Sequence, residues 1–299
     1  MTTISKKQKE VLTKAKKQKA YTYEEVLESA VAYFNGDELA GTTWMNKYAM
    51  KDYEGNFVEK NPDDMHKRMA KEFGRIEADY KLKYNLNGSA KFLSKYGQER
   101  EDLTEAKVYN LFKEFGYIIP QGSVMSSLGN HYKLASLSNC IVVPELHDSY
   151  GGVFYTDQQL AQLFKRRCGV GVDISNLRPA GSSVSNAAGS TSGAVSFMNR
   201  FSHTTREVAQ NGRRGALMLS MDIAHPDVED FITIKQDLQK VTGANISIRL
   251  SDEFMHAVEA NAEYTHKWPI ESDNPKFTKT VNAKELWDTI IQCAHNTAE

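Results

Sequence analysis

The chain has 299 residues, a formal net charge of −1, 40% apolar residues and 25% charged ones. That is enough for one large domain or two ordinary ones, each with its own core. The near-zero charge excludes capture of nucleic acid or anionic membrane by bulk electrostatics. No run is long and apolar enough to span a bilayer, and the N-terminus lacks the apolar core of a signal peptide. The expectation is a cytoplasmic protein with no membrane or nucleic-acid partner.

Residues 1–20 hold seven lysines and one glutamate and read as a solvated tail; the alternative is a docking segment for an acidic partner. Residues 21–117 read as a helical region. Thr22 and Glu25 are spaced as a capping box ahead of a stripe of Val26, Leu27, Ala30 and Tyr33. Asn61 and Pro62 open a second helix with Met65, Met69, Phe73 and Ile76 facing inward. A third carries Leu103, Val108, Leu111 and Phe112 and stops at Gly116. These apolar stripes are core rather than cofactor contacts.

The texture changes in residues 118–299. "NCIVVPE" (139–145) reads as a buried strand. "GVGVD", "ALMLSMDI" and "GANISIRL" read as further strands. Helical patterns lie between them in "DQQLAQLFKRRC", "AVSFMNRFSHTTREVAQ" and "HPDVEDFITIKQD". Such alternation argues an α/β architecture. "NAKELWDTIIQCAHNTAE" carries Leu286, Trp287, Ile290, Ile291 and Ala294 at helical spacing. It has no glycine, proline or basic last turn to stop it, so the fold is expected to continue on something else.

Several residues carry chemistry. Cys140, Cys168 and Cys293 are too few for a disulfide scaffold and lack metal-ligand spacing. Cys140 starts a strand after a small polar loop, as a core cysteine or as a presented thiol. Two loops suit anions. "PQGSVMSSLGN" offers Ser123, and "RRCGVGVDISNLRPAGSSVS" offers Gly169 and Gly171, where backbone can approach a ligand closely. Asp148 and Ser149 are placed to accept from ribose hydroxyls or to cap the next helix. In "QNGRRG", Arg213 and Arg214 lie between glycines: a solvated turn, or a flexible phosphate grip. His147, His203 and His225 lack ligand spacing, so no metal is expected.

In order, "PQGSVMSSLGN", "SLSNCIVV", "RRCGVGVDISNLRPAGS", "TREVAQNGRRGALMLSMDIAHPDVEDFI" and "VTGANISIRLSDEFM" resemble the large, catalytic chain of ribonucleotide reductase. The resemblance implies a helical region followed by the first half of a ten-stranded α/β barrel. Cys140 falls at the position of a redox-active thiol, one of two that reduce the ribose and become a disulfide. Ser123, Asn139, Cys140 and Gly169 fall at substrate contacts. Asp148, Ser149, Tyr150 and Arg178 match the site for a deoxynucleoside triphosphate or ATP effector. Gln210, Arg213 and Arg214 fall in the mobile loop between effector and substrate, with Arg214 rather than Arg213 the preferred contact. The implied chemistry is thiyl-radical abstraction of the ribose 3′-hydrogen, loss of water from C2′, and reduction by a dithiol.

The resemblance has gaps. The radical-bearing cysteine, its partners and the second redox cysteine match nothing here. A truncation, a gene fragment or a split enzyme would each account for this, and the split enzyme is the preferred reading. It implies a partner chain carrying the C-terminal half, thioredoxin or glutaredoxin as external reductant, and a higher oligomer. The radical source is a separate dimetal subunit, the favoured option, or adenosylcobalamin. Ser185 stands where some relatives place an effector-binding arginine. The alternative function is a catalytically inactive nucleotide-binding fragment or regulator.

Overall fold

The computed structural model describes residues 19–86, 94–208 and 215–298. Two compact units meet in sequence between Leu137 and Ser138. Each is taken by itself.

The first unit is helical. Helix α1 (Tyr23–Tyr33) starts with the expected capping box: Glu25 N–H donates to Thr22 Oγ1 at 3.2 Å, and Thr22 N–H to Glu25 Oε2 at 2.9 Å. Helix α2 (Glu38–Lys47) is capped by Asp37, and α3 (Pro62–Leu86) by Asn61, whose Oδ1 accepts from Asp63 N–H at 3.1 Å. A short α4 (Lys95–Glu99) and α5 (Glu105–Phe112) follow, then α6 (Gly122–Ser127). Val26, Ala30, Trp44, Met45, Met65, Met69, Val108 and Phe112 make one buried cluster. Other expected core residues are not in it: Phe73 and Leu103 are exposed, and Tyr33, Ile76 and Leu111 are half-buried. Phe73 lies at the rim, tilted against Phe112 with ring centroids 5.9 Å apart.

Beneath α6 lies a buried ion pair. Arg68 Nε meets Glu59 Oε1 at 2.6 Å, and its terminal nitrogens donate to the carbonyls of Met125 and Leu128. Those are carbonyls at the C-terminal end of α6, which the helix itself leaves without partners. The turn bearing Ser123 is thus tied to α3 and belongs to the first unit, whereas the sequence pattern groups it with the α/β part.

The second unit holds a four-stranded parallel sheet in the order β1 (Cys140–Val142), β2 (Gly169–Asp173), β3 (Ala216–Asp222), β4 (Asn245–Arg249). Neighbours in sequence are neighbours in space. The crossovers carry α7 (Tyr150–Phe164), α8 (Met198–Glu207) and α9 (Val228–Thr233). Side chains alternate along each strand, so one face carries Val170, Val172, Leu217, Leu219 and Met221 into the core with Leu160, Phe164, Phe201 and Phe231. The other face carries Cys140, Val142, Asp173, Met218, Asp222 and Arg249.

This corrects the expectation of a buried strand at 139–145. Only one face of β1 is covered, and Val142 is 81% exposed. The apolar run is real, but no element among the described residues covers its outer face. Parallel sheets ordinarily are covered on both faces.

After α10 (Asp252–Glu259), an antiparallel pair that the pattern does not announce follows: β5 (Glu263–Trp268) and β6 (Phe277–Asn282). Helix α11 (Ala283–Thr297) is N-capped by Asn282. Its end differs from the uncapped helix expected: Ala298 adopts a left-handed C-cap conformation (φ 58°) and donates to the Ala294 carbonyl at 2.8 Å. No described helix is long and apolar enough to cross a membrane.

Candidate functional site

Asp148, Ser149, Tyr150 and Arg178 converge on one cleft of about 430 Å³ in the second unit, within the usual range for small-molecule sites. Asp148 accepts twice from Arg178: from Nε at 2.7 Å and from the backbone N–H at 3.2 Å. The carboxylate therefore orients the guanidinium, whose Nη1 also donates to the Ser183 carbonyl at 3.3 Å. Arg178 is half-buried, so its charge faces a partly dry cleft rather than bulk water. Ser149 caps α7, accepting from Gly152 N–H at 3.0 Å, and lies 2.9 Å from His147 Nδ1. Of the two readings of Ser149, the capping one is seen. Tyr150 stacks on Phe154 and meets Phe197 edge-on, giving the cleft an aromatic wall.

The opposite wall is a small-residue loop, with Ser185, Asn186, Ser190, Thr191 and Ser192 lining the cleft. It folds as a narrow ribbon: Thr191 N–H donates to the Ser182 carbonyl at 3.0 Å, and Val184 N–H to the Gly189 carbonyl at 3.0 Å. The sequence shows a loop there. It does not show that the loop turns back to face Tyr150. Hydroxyls, an amide, a carboxylate, a guanidinium and an aromatic face together suit a polar, anionic ligand with a planar ring.

Gly152 makes the corner beside this cleft possible. A Cβ there would stand 2.2 Å from the His147 carbonyl oxygen and 2.8 Å from His147 Cβ. The obstacle is largely backbone, so it cannot rotate away. Gly152→Ala is expected to destabilise the second unit by about 3 kcal/mol, the upper end for overpacking. Denaturant unfolding read at both units checks this; an unchanged midpoint would show that the corner yields.

Cys140 and Gly169 form a second locus at the N-terminal edge of the sheet. They are register partners on β1 and β2, and Gly169 N–H donates to the Asn139 carbonyl at 2.6 Å. Cys140 is exposed, whereas Cys168 and Cys293 are buried. A Cβ on Gly169 would come within 3.6 Å of Cys140 Sγ and 3.3 Å of the Asn139 carbonyl oxygen. Glycine thus leaves the space beside the sulfur open. Ala216, the first residue of β3, continues the same row. Gln210, Arg213 and Arg214 lie outside the described residues.

Ser123 is on α6 of the first unit, with its side chain buried, whereas Cys140 belongs to the second. Two residues without a functional signal in the sequence underlie the cleft. His225 Nε2 lies 2.8 Å from the Leu177 carbonyl, and its Nδ1 accepts from Asp227 N–H at 3.0 Å. That pairing fixes a neutral ring with the proton on Nε2. Burial pushes its pKa down as well.

The family model for the ribonucleotide reductase barrel domain matches residues 138–299. The chain is 32% identical to a vitamin B12-dependent ribonucleoside-diphosphate reductase of Thermoplasma acidophilum, over 85% of this chain and 37% of that protein. It is 36% identical to the enzyme of the same name from Mycobacterium tuberculosis, over 54% of this chain and 23% of that protein. It is 26% identical to the ribonucleoside-diphosphate reductase large subunit of Trypanosoma brucei brucei, over 66% and 26% respectively. The chain thus spans well under half the length of these relatives. With the matched segment beginning where the second unit begins, the chain belongs to the ribonucleotide reductase large-subunit family, of which it carries a part.

Proposed function

We propose that this chain is the effector-binding, N-terminal part of a ribonucleotide reductase catalytic subunit. The observation that carries the reading is the cleft that gathers Asp148, Ser149, Tyr150 and Arg178 opposite the 182–192 ribbon. It would hold a deoxynucleoside triphosphate or ATP: Arg178 toward phosphate, Asp148 toward sugar hydroxyls, Tyr150 toward the base. Ser185 offers phosphate a hydroxyl where an arginine would offer charge.

Cys140 supplies one of the two thiols that reduce the ribose. Two thiols become one disulfide, giving up two electrons and two protons as the 2′-hydroxyl leaves as water. Its exposed sulfur beside Gly169 supports that role. The disulfide is then returned to dithiol by an external reductant of the thioredoxin or glutaredoxin kind. The cysteine that carries the thiyl radical belongs to barrel strands beyond these residues, in the same polypeptide or a second one. The uncovered face of β1–β4 supports completion into a ten-stranded barrel. Exposed Tyr150, Phe154 and Tyr155 on α7 support self-association.

The names of two of the relatives favour adenosylcobalamin over a separate dimetal subunit, and all three favour a diphosphate substrate. That cofactor would supply the radical. Among the described residues no group of three or more His, Cys, Asp or Glu side chains is placed to hold a metal ion.

The test joins this chain to the remainder of its barrel, as one polypeptide or as two. Radical source and dithiol are added, and deoxyribonucleotide formation is measured with and without dNTP. Product whose base preference follows the added dNTP is expected. An intact assembly that binds dNTP yet forms no product would leave the regulator reading instead.

A further inference from the structure

Asp227 stands at the N-cap of α9, directly before Val228. Aspartate at that position normally accepts from its own helix. Here its side chain makes no capping bond. It turns to the cleft loop instead: Ala180 N–H donates to both oxygens, at 3.0 Å to Oδ1 and 3.2 Å to Oδ2, and Ala194 N–H donates to Oδ2 at 2.9 Å. Ala180 and Ala194 are the two ends of the segment that contains the 182–192 ribbon. One buried carboxylate therefore closes the loop at its base.

The surroundings are built for this clasp. Gly193 has φ +87°, and a Cβ there would lie 2.5 Å from Asp227 Oδ2 and 2.7 Å from Ala180 N. Only glycine lets the second stem reach the carboxylate. His225, two residues earlier, accepts from Asp227 N–H and donates to the Leu177 carbonyl, one residue before Arg178. The segment after β3 thus fixes both the loop stems and the backbone leading into Arg178.

We propose that Asp227, supported by His225 and Gly193, is a positioning residue of the cleft: it touches no ligand but sets the distance between the ribbon and the Asp148–Arg178 pair. A ribbon held only by its own short hydrogen bonds would sample many spacings. The clasp selects one, so the cleft meets a nucleotide preorganised and distinguishes one base from another. This rests on the cleft being the effector site.

Two variants perturb the clasp from opposite sides. Asp227→Asn removes the charge, leaves a single oxygen to accept from both stems, and sets an NH₂ donor against the amides that the other oxygen faced, so the clasp weakens. Gly193→Ala wedges the carboxylate away. Phe254→Leu, a core change on α10, serves as a control for plain loss of stability. Each protein is titrated with dTTP and dGTP by calorimetry, and hydrogen exchange is followed at Ala180 and Ala194.

Both clasp variants are expected to exchange those amides at least tenfold faster. They should also lose at least tenfold in nucleotide affinity and narrow the ratio between dTTP and dGTP. Phe254→Leu should leave affinity and ratio unchanged. Wild-type affinity and ratio in Asp227→Asn, or equal losses in Phe254→Leu, would overturn the proposal. A wild-type protein that binds neither nucleotide would defeat the effector reading. Amide exchange would then still show whether Asp227 clasps the loop.

Discussion

Cys140→Ser is expected to lower deoxyribonucleotide formation at least a hundredfold in the completed assembly while leaving dNTP binding intact. The serine is nearly isosteric, and the position is exposed at the edge of β1, so folding has no reason to suffer. What changes is redox capacity. A hydroxyl cannot become half of a disulfide and so cannot deliver the two electrons that the loss of the 2′-hydroxyl requires. The proposed effector cleft lies beyond the opposite ends of the strands, at residues that follow β1 and β2, and it keeps its groups. Wild-type product from Cys140→Ser in such an assembly would remove Cys140 from the reaction.

Gly169 sharpens that expectation. Its register partner is Cys140, and its lack of a side chain keeps the sulfur open. Loss of activity in Cys140→Ser with retained effector binding would separate a missing electron source from a collapsed site. That separation is available because the two loci share a sheet but no side chain.

How much of this was legible follows a physical line. Local signals survived intact. The Thr22–Glu25 box and the Asn61–Pro62 entry formed as the spacing requires, because caps depend on residues within one turn. The strand–helix alternation became the parallel sheet. Asp148, Ser149, Tyr150 and Arg178 gathered in one cleft although the first and last lie thirty residues apart in sequence.

Other features were hidden because they depend on distant partners. Val142 looks like core by composition, and only the lack of a covering layer among the described residues exposes it. The β5–β6 pair is rich in lysine and threonine and is joined through 269–276 without a tight two-residue hairpin signature, so it is not marked as a hairpin. Asp227 carries no marked role in the sequence, and its turn toward Ala180 and Ala194 is a tertiary event with no sequence signature. Arg213 and Arg214 fall outside the described residues, so the choice between a solvated turn and a flexible phosphate grip stays an expectation from the sequence.

The second large expected effect is on acid stability. Three buried histidines, His66, His225 and His266, are held below their ordinary pKa, chiefly because burial penalises the charged ring. For His266 the value is pushed down to about 4. Its two ring nitrogens have no hydrogen-bond partner among the described residues, and the charges around it oppose one another: Glu229 favours the proton, while Lys279 and His225 disfavour it. His66 sits among Tyr33, Phe112 and Phe115, with Asp63 the charge that acts on it. His225 has Asp227, Asp222 and Asp173 nearby, yet burial outweighs them. In the unfolded chain each histidine takes up a proton below about pH 6.5; in the folded chain it does not. Stability is therefore full above that pH and falls as pH drops. For His266 the loss continues to about pH 4 and totals about 3 kcal/mol. Carboxylates such as Asp63, held below their ordinary value, add their own loss only at lower pH. His266→Met removes the titrating ring and fills its space with a flexible apolar chain. Urea unfolding between pH 7 and pH 4 is expected to show a shallower decline in this variant, which should exceed the wild type at pH 5. Parallel curves for the two proteins would mean that His266 takes up its proton in the folded state as readily as in the unfolded one.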